Sequence, residues 1–191
     1  MWKNDHLDQL QLDLLKQNIL VIGGEIDWNA ARYVREALLR CVAKGSPDIR
    51  VLITCEGGDL HIGLNIYDLL KSYEGYKTAL VQGYAQSIAA VILQACEKRQ
   101  SLPHSYIRIH HMHDKSGISL DILRDAEKLK AVCEDMEQCQ AQLDRILTER
   151  TGKSIDEIRA TCEKDEDMNA EEARDFGLID EIVFSLNTAK S

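Results

Sequence analysis

Short apolar runs alternate with helical patterns along the first part of the chain, and this alternation limits the possible fold more than any other feature. Runs rich in Ile, Val and Leu predict strands at residues 18–24, 49–58, 77–85 and 105–111. Apolar side chains at helical spacing predict helices at residues 27–44, 60–73 and 87–98, with Asp27 as an N-cap. Such an order predicts an α/β core of buried strands joined by right-handed crossovers.

The pattern changes after His113. Leu120 to Arg150 contains neither proline nor glycine and is rich in Glu, Lys, Gln, Leu and Ala. This predicts a single helix, well above the average length of about 11–12 residues, that projects or packs against another subunit. Two shorter helices follow: one opens at a Ser154–Glu157 capping box, and the other stops at Gly177.

The composition excludes several classes of protein. The net charge is −9 and no basic face is visible, which argues against a nucleic-acid partner. No apolar run approaches the ~20 residues of a membrane span, and the N-terminus lacks the continuous apolar core of a signal peptide. A cytoplasmic location is therefore the default expectation. The length of 191 residues favours one domain, with disorder expected only at residues 1–10 and 186–191.

The six cysteines form no C-x-x-C pair, and none has a histidine at zinc-finger spacing. This favours reduced, mostly buried thiols rather than a cysteine metal site. His110 and His113 with Asp114 form the one alternative metal-ligating set that the spacing leaves open. No cofactor or metal is expected.

Two segments are candidates for chemistry at the strand-to-helix junctions. Ser87 stands where a strand turns into an apolar helix, so that free backbone N–H groups lie beside its hydroxyl. Gly57 and Gly58 allow a sharp turn that brings bare N–H groups near a ligand. Taken singly, an ordinary N-cap serine and an ordinary tight loop are the favoured interpretations.

A histidine and an acidic stretch complete the candidates. His110 lies at a strand end, on the opposite face from His111, where a base could reach a nucleophile. Any one carboxylate in the segment 163–167 could orient that histidine, and a solvated acidic loop is the alternative. Those carboxylates belong to Glu163, Asp165, Glu166 and Asp167.

The order and spacing of these segments decide between the interpretations. From about Leu14 to Val183 the chain resembles the Clp protease proteolytic-subunit family. The resemblance is carried by Gly23–Asp27, Ile53–Gly58 with Gly63 and Ile66–Asp68, Gly83–Ala90, Leu102–Ser105 with Ile109–His110, Thr151–Gly152, Met168–Ala173 and Gly177–Asp180.

The resemblance implies a role for particular residues. The serine of the family's Gly-x-Ala-x-Ser segment is the nucleophile, which corresponds to Ser87. The histidine after the Leu-Pro-x-Ser strand is the base, which corresponds to His110. The third member lies five residues before the first alanine of Ala170–Ala173, which corresponds to Asp165. The backbone N–H groups of Gly58 and Ile88 correspond to the oxyanion hole.

The resemblance also implies a fold and an assembly. We expect the α/β Clp protease/crotonase-like fold, with repeated β-β-α units and a long projecting handle helix. One domain would span residues 1–191: a head at about 14–113 and 151–185, a handle at about 118–150, and a short N-terminal segment at 1–13. The implied function is a serine endopeptidase that cleaves unfolded proteins or peptides inside heptameric rings, which can stack as a tetradecamer. An AAA+ unfoldase is the implied partner.

The chain departs from the family pattern at several positions, which fits a divergent or phage-type copy. Cys55-Glu56 stands where the family has Ser-Pro, and His111-Met112 where it has Gln-Pro or a similar pair. The glycine-rich segment that follows is reduced to Asp114–Gly117, and the apolar residue expected near Asp167 is absent. The segment before Leu14, which forms the pore loops facing the unfoldase in the family, is shorter than usual.

These departures motivate two alternatives. One is a catalytically weak or scaffolding Clp-like subunit. The other is an acyl-CoA enzyme of the related crotonase fold, against which the intact Ser/His/Asp order argues.

Overall fold

A computed structural model describes residues 9–113 and 117–185 of the protein. The strands are β1 Ile19–Ile26, β2 Ile49–Gly58, β3 Lys77–Gln86, β4 Lys98–Ser101, β5 Tyr106–Arg108, β6 Met168–Asn169 and β7 Glu181–Ile182. The helices are α1 Gln9–Lys16, α2 Trp28–Val42, α3 Leu60–Lys71, α4 Ile88–Leu93, α5 Leu120–Leu123, α6 Ala126–Thr151, α7 Ile155–Lys164 and α8 Ala170–Phe176. The predicted α/β fold class is confirmed.

The sheet is parallel along its main path, which runs β1-β2-β3-β4-β7. Strand β5 continues beside the second half of β3, beyond the end of β4, and β6 pairs antiparallel with β5. Val51 and Ile53 of β2 are fully buried, since β2 lies between β1 and β3 and α4 packs against it. The carboxyl ends of β2, β3 and β5 therefore meet at one edge of the sheet.

Several predicted helix signals are present. The Asp27 side chain accepts the Ala30 N–H as the N-cap of α2, the Ser154–Glu157 capping box opens α7, and Gly177 caps α8 in a left-handed conformation. No helix within residues 9–113 and 117–185 is long and apolar enough to cross a membrane. The disorder expected at residues 1–8 and 186–191 lies outside the described residues, whereas Gln9 and Leu10 belong to α1, against expectation.

Two predicted helix boundaries are wrong. The helix expected over residues 87–98 ends at Leu93, and a strand that the pattern did not indicate, β4, begins at Lys98. The helix expected over residues 120–150 is interrupted at Arg124, because the Asp125 side chain accepts the N–H groups of Glu127 and Lys128 and starts α6 afresh. The remaining helix, α6, still has 26 residues.

The reason for β4 is a buried arginine. Arg99 is only 6% exposed, and its guanidinium donates to the Gln94 side chain (2.6 Å) and to the carbonyls of Gly177 (2.8 Å) and Arg150 (3.3 Å). The guanidinium also pairs with Asp180, which accepts the Arg99 backbone N–H (2.7 Å) as well. A polar strand is thus stable inside the protein because the buried guanidinium of Arg99 is hydrogen-bonded and paired with a carboxylate.

Replacing Asp180 with asparagine is expected to destabilise the protein by about 2 kcal/mol at neutral pH, below the range for fully buried pairs because Asp180 is 38% exposed. Burial raises the pKa of Asp180, but hydrogen bonds from Arg99 outweigh burial and hold that pKa below its usual value. A lowered folded-state pKa gives stability that is present above the unfolded pKa of about 3.9 and lost as the pH falls. Urea unfolding should therefore show the deficit of the variant shrinking below about pH 4.

Candidate active site

The structure brings the predicted segments together at the carboxyl edge of the sheet. Cys55 is paired with Ala85 in the β2–β3 ladder, which places the Gly57-Gly58 turn beside the end of β3. Gln86 is paired with Arg108 in the β3–β5 ladder, and the Ser87 N–H donates to the Arg108 carbonyl at 2.9 Å. The crevice at the carboxyl ends of parallel strands is the usual ligand-binding place in such sheets.

Ser87 has an unusual backbone conformation. Its φ of 58° and ψ of −132° lie outside the regions that non-glycine residues normally occupy. Although Ser87 is the N-cap residue of α4, its side chain makes no capping hydrogen bond. The hydroxyl thus caps no helix in the part of the chain that the structure describes, and the turn resembles the strained strand-to-helix elbow that presents the nucleophilic serine of α/β-hydrolases.

Backbone strain at Ser87 predicts different stabilities for two small substitutions at this position. Ser87→Gly should leave a protein about 1 kcal/mol more stable than Ser87→Ala, because glycine tolerates this φ and alanine does not. Urea unfolding of the two variants checks the difference. Equal stabilities would mean that the backbone of Ser87 is relaxed in solution.

The Gly57-Gly58 turn lies against Ser87. A Cβ placed on Gly57 would stand 2.6 Å from the Ser87 Cβ and 3.1 Å from its Oγ, and the φ of Gly57 is +98°. A Cβ on Gly58 would overlap the backbone of Ile26 in β1. Both positions therefore require glycine, one for the approach of Ser87 and one for the approach of β1.

Cys55 stabilises this turn where the family has serine followed by proline. Its thiol donates to the Gly24 carbonyl (3.0 Å), and its sulfur accepts the Gly57 N–H (3.4 Å). Burial raises the pKa of Cys55, which keeps the thiol protonated and able to donate. The side chain thus ties the turn to β1.

Ile88, the residue after the serine, is positioned by α3. Its side chain is 3% exposed and packs against Gly63, where any Cβ would overlap it. The Ile88 N–H is in the first turn of α4 and has no hydrogen-bond partner within residues 9–113 and 117–185. It is free to bind an oxygen placed beside Ser87.

His110 follows the end of β5 and is half-buried. Its Nδ1 lies 2.6 Å from the His111 carbonyl oxygen. A carbonyl can only accept, so Nδ1 carries the proton and Nε2 keeps its lone pair, the tautomer that a general base requires. The ring of His113 lies 4.8 Å from that of His110, whereas His111 lines a cleft with Gln140 and Arg159.

Asp165 ends α7 with a left-handed backbone (φ 50°, ψ 41°) and forms an ion pair with Arg108 at 3.8 Å. Arg108 also approaches Asp167 at 3.3 Å, and Gln86 donates to Asp167 at 3.0 Å. No hydrogen bond joins His110 to Ser87 or to Asp165 in the part of the chain that the structure describes. The structure therefore gathers the three residues at one edge without linking them.

Arg108 is the residue of this site that the sequence analysis missed. It lies in the short strand Tyr106–Arg108, between the buried Ile107 and Ile109, where alternation makes a polar side chain ordinary. A charged side chain two residues before His110 is the only sequence signal that could have identified it. Its partners come from a segment almost sixty residues further along the chain.

The alternative metal site has a member, Asp114, outside the described residues. Within those residues no group of three or more His, Cys, Asp or Glu side chains could hold a metal ion. Five of the six cysteines are buried and Cys133 is exposed, in line with the predicted burial. Burial raises the pKa of Cys96 and of Cys162 to about 12, so these thiols stay protonated at neutral pH.

A comparison with known protein families identifies the family of this chain. A family model described as Clp protease matches residues 3–185, nearly the whole chain. The match spans all seven strands, the Gly57-Gly58 turn and the segments that carry Ser87, His110 and Asp165. Membership of this family implies serine-type peptidase activity. The chain belongs to the Clp protease family.

Proposed function

We propose that the protein is a serine endopeptidase that cleaves unfolded proteins or peptides through Ser87, His110 and Asp165. The observation that carries the proposal is the strained Ser87 backbone, with an uncommitted hydroxyl beside two glycines at the carboxyl edge of the sheet. Strain of this kind persists where the surrounding structure imposes it, and it clusters at active sites.

In the proposed reaction the Ser87 Oγ attacks the carbonyl carbon of a peptide bond while His110 Nε2 takes the hydroxyl proton. The negative oxygen of the tetrahedral intermediate is stabilised by the N–H groups of Gly58 and Ile88. His110 then gives the proton to the leaving amine, and a water molecule, activated in the same way, hydrolyses the acyl-enzyme. Asp165 orients the imidazole and stabilises its charged form.

The proposed assembly is a chamber of heptameric rings, which can stack as a tetradecamer, in the cytoplasm, with an AAA+ unfoldase as partner. Apolar side chains on the outside support subunit contacts. Trp28 is 72% exposed and Leu39 61%, on one face of α2, and Leu120 is 67% exposed on α5. The helices α5 and α6 would form the handle between rings.

A scaffolding subunit of low activity is the second candidate. The observation that favours it is the ion pair of Asp165 with Arg108, which leaves His110 without a carboxylate partner among the residues that the structure describes. Retained assembly without hydrolysis is its expected behaviour.

Intact mass after treatment with a fluorophosphonate tests the proposal. Wild type should gain one adduct, Ser87→Ala should gain none, and Ser72→Ala, which changes an exposed serine of the α3 C-cap, should match wild type. A folded wild-type protein that gains no adduct would contradict the peptidase and favour the scaffold.

A further inference from the structure

Arg108 sits among groups that the proposed reaction needs. Its guanidinium lies 3.8 Å from an Asp165 oxygen and 3.3 Å from an Asp167 oxygen. Its backbone carbonyl accepts the Ser87 N–H at 2.9 Å. Arg108 thus joins the backbone of the proposed nucleophile, through a hydrogen bond, to the carboxylate proposed to orient the base, through an ion pair.

The register of β5 and β6 shows how Arg108 and the two aspartates are placed relative to one another. In the antiparallel pair of β5 and β6, Tyr106 faces Asn169 and Ile107 faces Met168. Continuing that register by one residue places Arg108 opposite Asp167, which agrees with their contact. His110 lies two residues after Arg108, and Asp165 lies two residues before Asp167 in the left-handed turn that ends α7. Both residues thus stand just beyond this pairing, and the carboxylate of Asp165 is paired with Arg108.

Arg108 holds this carboxylate weakly. Its side chain is 31% exposed and those of Asp165 and Asp167 are 48% and 44% exposed, and ion pairs with this much exposure contribute little. The Arg108 Nε is buried, yet it has no hydrogen-bond partner of good geometry. A guanidinium held this loosely between two carboxylates can move from one to the other.

We propose that Arg108 is a positioning residue that controls assembly of the triad. When it pairs with Asp165, His110 Nδ1 donates to the His111 carbonyl and the base has no carboxylate partner. When it pairs with Asp167 alone, Asp165 is released and accepts the hydrogen bond from His110 Nδ1. Asp167, held by Gln86, is the competing acceptor that draws Arg108 away.

Few charged or titratable groups surround Arg108 and His110 in the described residues. Asp165 and Asp167 face Arg108 from the segment between α7 and β6, which also carries Glu166, and Lys164 is the last residue of α7. His113 contacts the ring of His110 from the other side. The two aspartates are the only carboxylates that pair with Arg108 within residues 9–113 and 117–185.

The inference rests on the proposed peptidase function. Two single variants test it, because they should change the rate of fluorophosphonate labelling in opposite directions. Arg108→Met keeps the length of the side chain without its charge, and should be labelled by the fluorophosphonate about tenfold faster than wild type, or more. Asp167→Asn removes the competing carboxylate, so that Arg108 pairs only with Asp165. This variant should be labelled several-fold more slowly than wild type. The double variant should behave as Arg108→Met, since Asp167 acts only through Arg108.

Controls separate this role from a general effect on folding. Arg108→Lys keeps the charge and should stay within a few-fold of wild type, and thermal unfolding should give similar midpoints for all variants. Should Arg108→Met fail to fold, Asp167→Asn decides alone: an unchanged labelling rate overturns the proposal.

A crystal structure of Arg108→Met gives a readout independent of activity. A hydrogen bond of about 3 Å between His110 Nδ1 and Asp165 supports the proposal. If that bond is absent, the proposal is overturned whatever the labelling rate. If the bond forms but no variant is labelled, the positioning role stands and the peptidase function is what fails.

Discussion

His110→Gln should lower peptide hydrolysis by about 10⁴-fold or more, since loss of the proposed base would remove the step on which the serine depends. Glutamine fills a similar volume and can still donate to the His111 carbonyl, so the end of β5 should keep its position. The free energy of unfolding should therefore change little. Hydrolysis of a fluorogenic peptide, measured beside urea unfolding, checks both expectations.

His111→Gln is the matched control for that experiment. His111 is the next residue, but it lies in the cleft formed with Gln140 and Arg159 and not beside the ring of His113. Its contribution to the His110 geometry is a backbone carbonyl, which the substitution keeps. Activity should stay near that of wild type. A comparable loss in both variants would mean that His110 is not the base.

Gly57→Ala should destabilise the protein by about 2–4 kcal/mol and abolish fluorophosphonate labelling. The new methyl group would stand 2.6 Å from the Ser87 Cβ and 3.0 Å from the Gln86 carbonyl oxygen, so either the serine or the turn must move. The positive φ of 98° adds backbone strain. Urea unfolding and intact-mass labelling measure the two losses separately.

Gly24→Ala separates the contact from the strain. Gly24 has a φ of +71° and is paired with Cys55 in the neighbouring strand, but a Cβ there would meet nothing within 4 Å. This variant should therefore lose only about 1–2 kcal/mol, from the backbone alone, and should be labelled normally. If the two variants were equally destabilised, the approach of Gly57 to Ser87 would not be the cause.

Cys55 explains how the turn is held although the family's proline is missing. Proline would limit the backbone at position 56, whereas here the thiol of Cys55 joins the Gly24 carbonyl to the Gly57 N–H. The departure from the family pattern thus replaces a restriction of one dihedral angle with two hydrogen bonds.

Much of the candidate site could be predicted because its residues follow strong local patterns. The bounds of β2 match the prediction, and β1 and β3 match it within two residues, since apolar periodicity depends only on neighbouring residues. Once the strands were known to be parallel, their carboxyl ends had to meet, and this placed Gly57, Ser87 and His110 together. The roles of these residues and of Asp165 came from the family resemblance and stay predictions.

Other features depend on partners that are distant in the sequence. Strand β4 reads Lys-Arg-Gln-Ser and has no apolar pattern; it forms because Arg99 binds Asp180, which lies eighty-one residues away. The helix is interrupted at Arg124 because Asp125, one of several polar residues in this segment, is the one that caps the N-terminus of α6.

The sequence by itself determined the α/β class, the family and the edge of the sheet where chemistry is expected, because local periodicity and motif order carry that information. The tertiary structure decided which acidic side chains approach β5 and that Arg108, not His110, holds Asp165. The four carboxylates of residues 163–167 are equivalent in the sequence. Only the antiparallel register of β5 and β6 and the position of one guanidinium distinguish them.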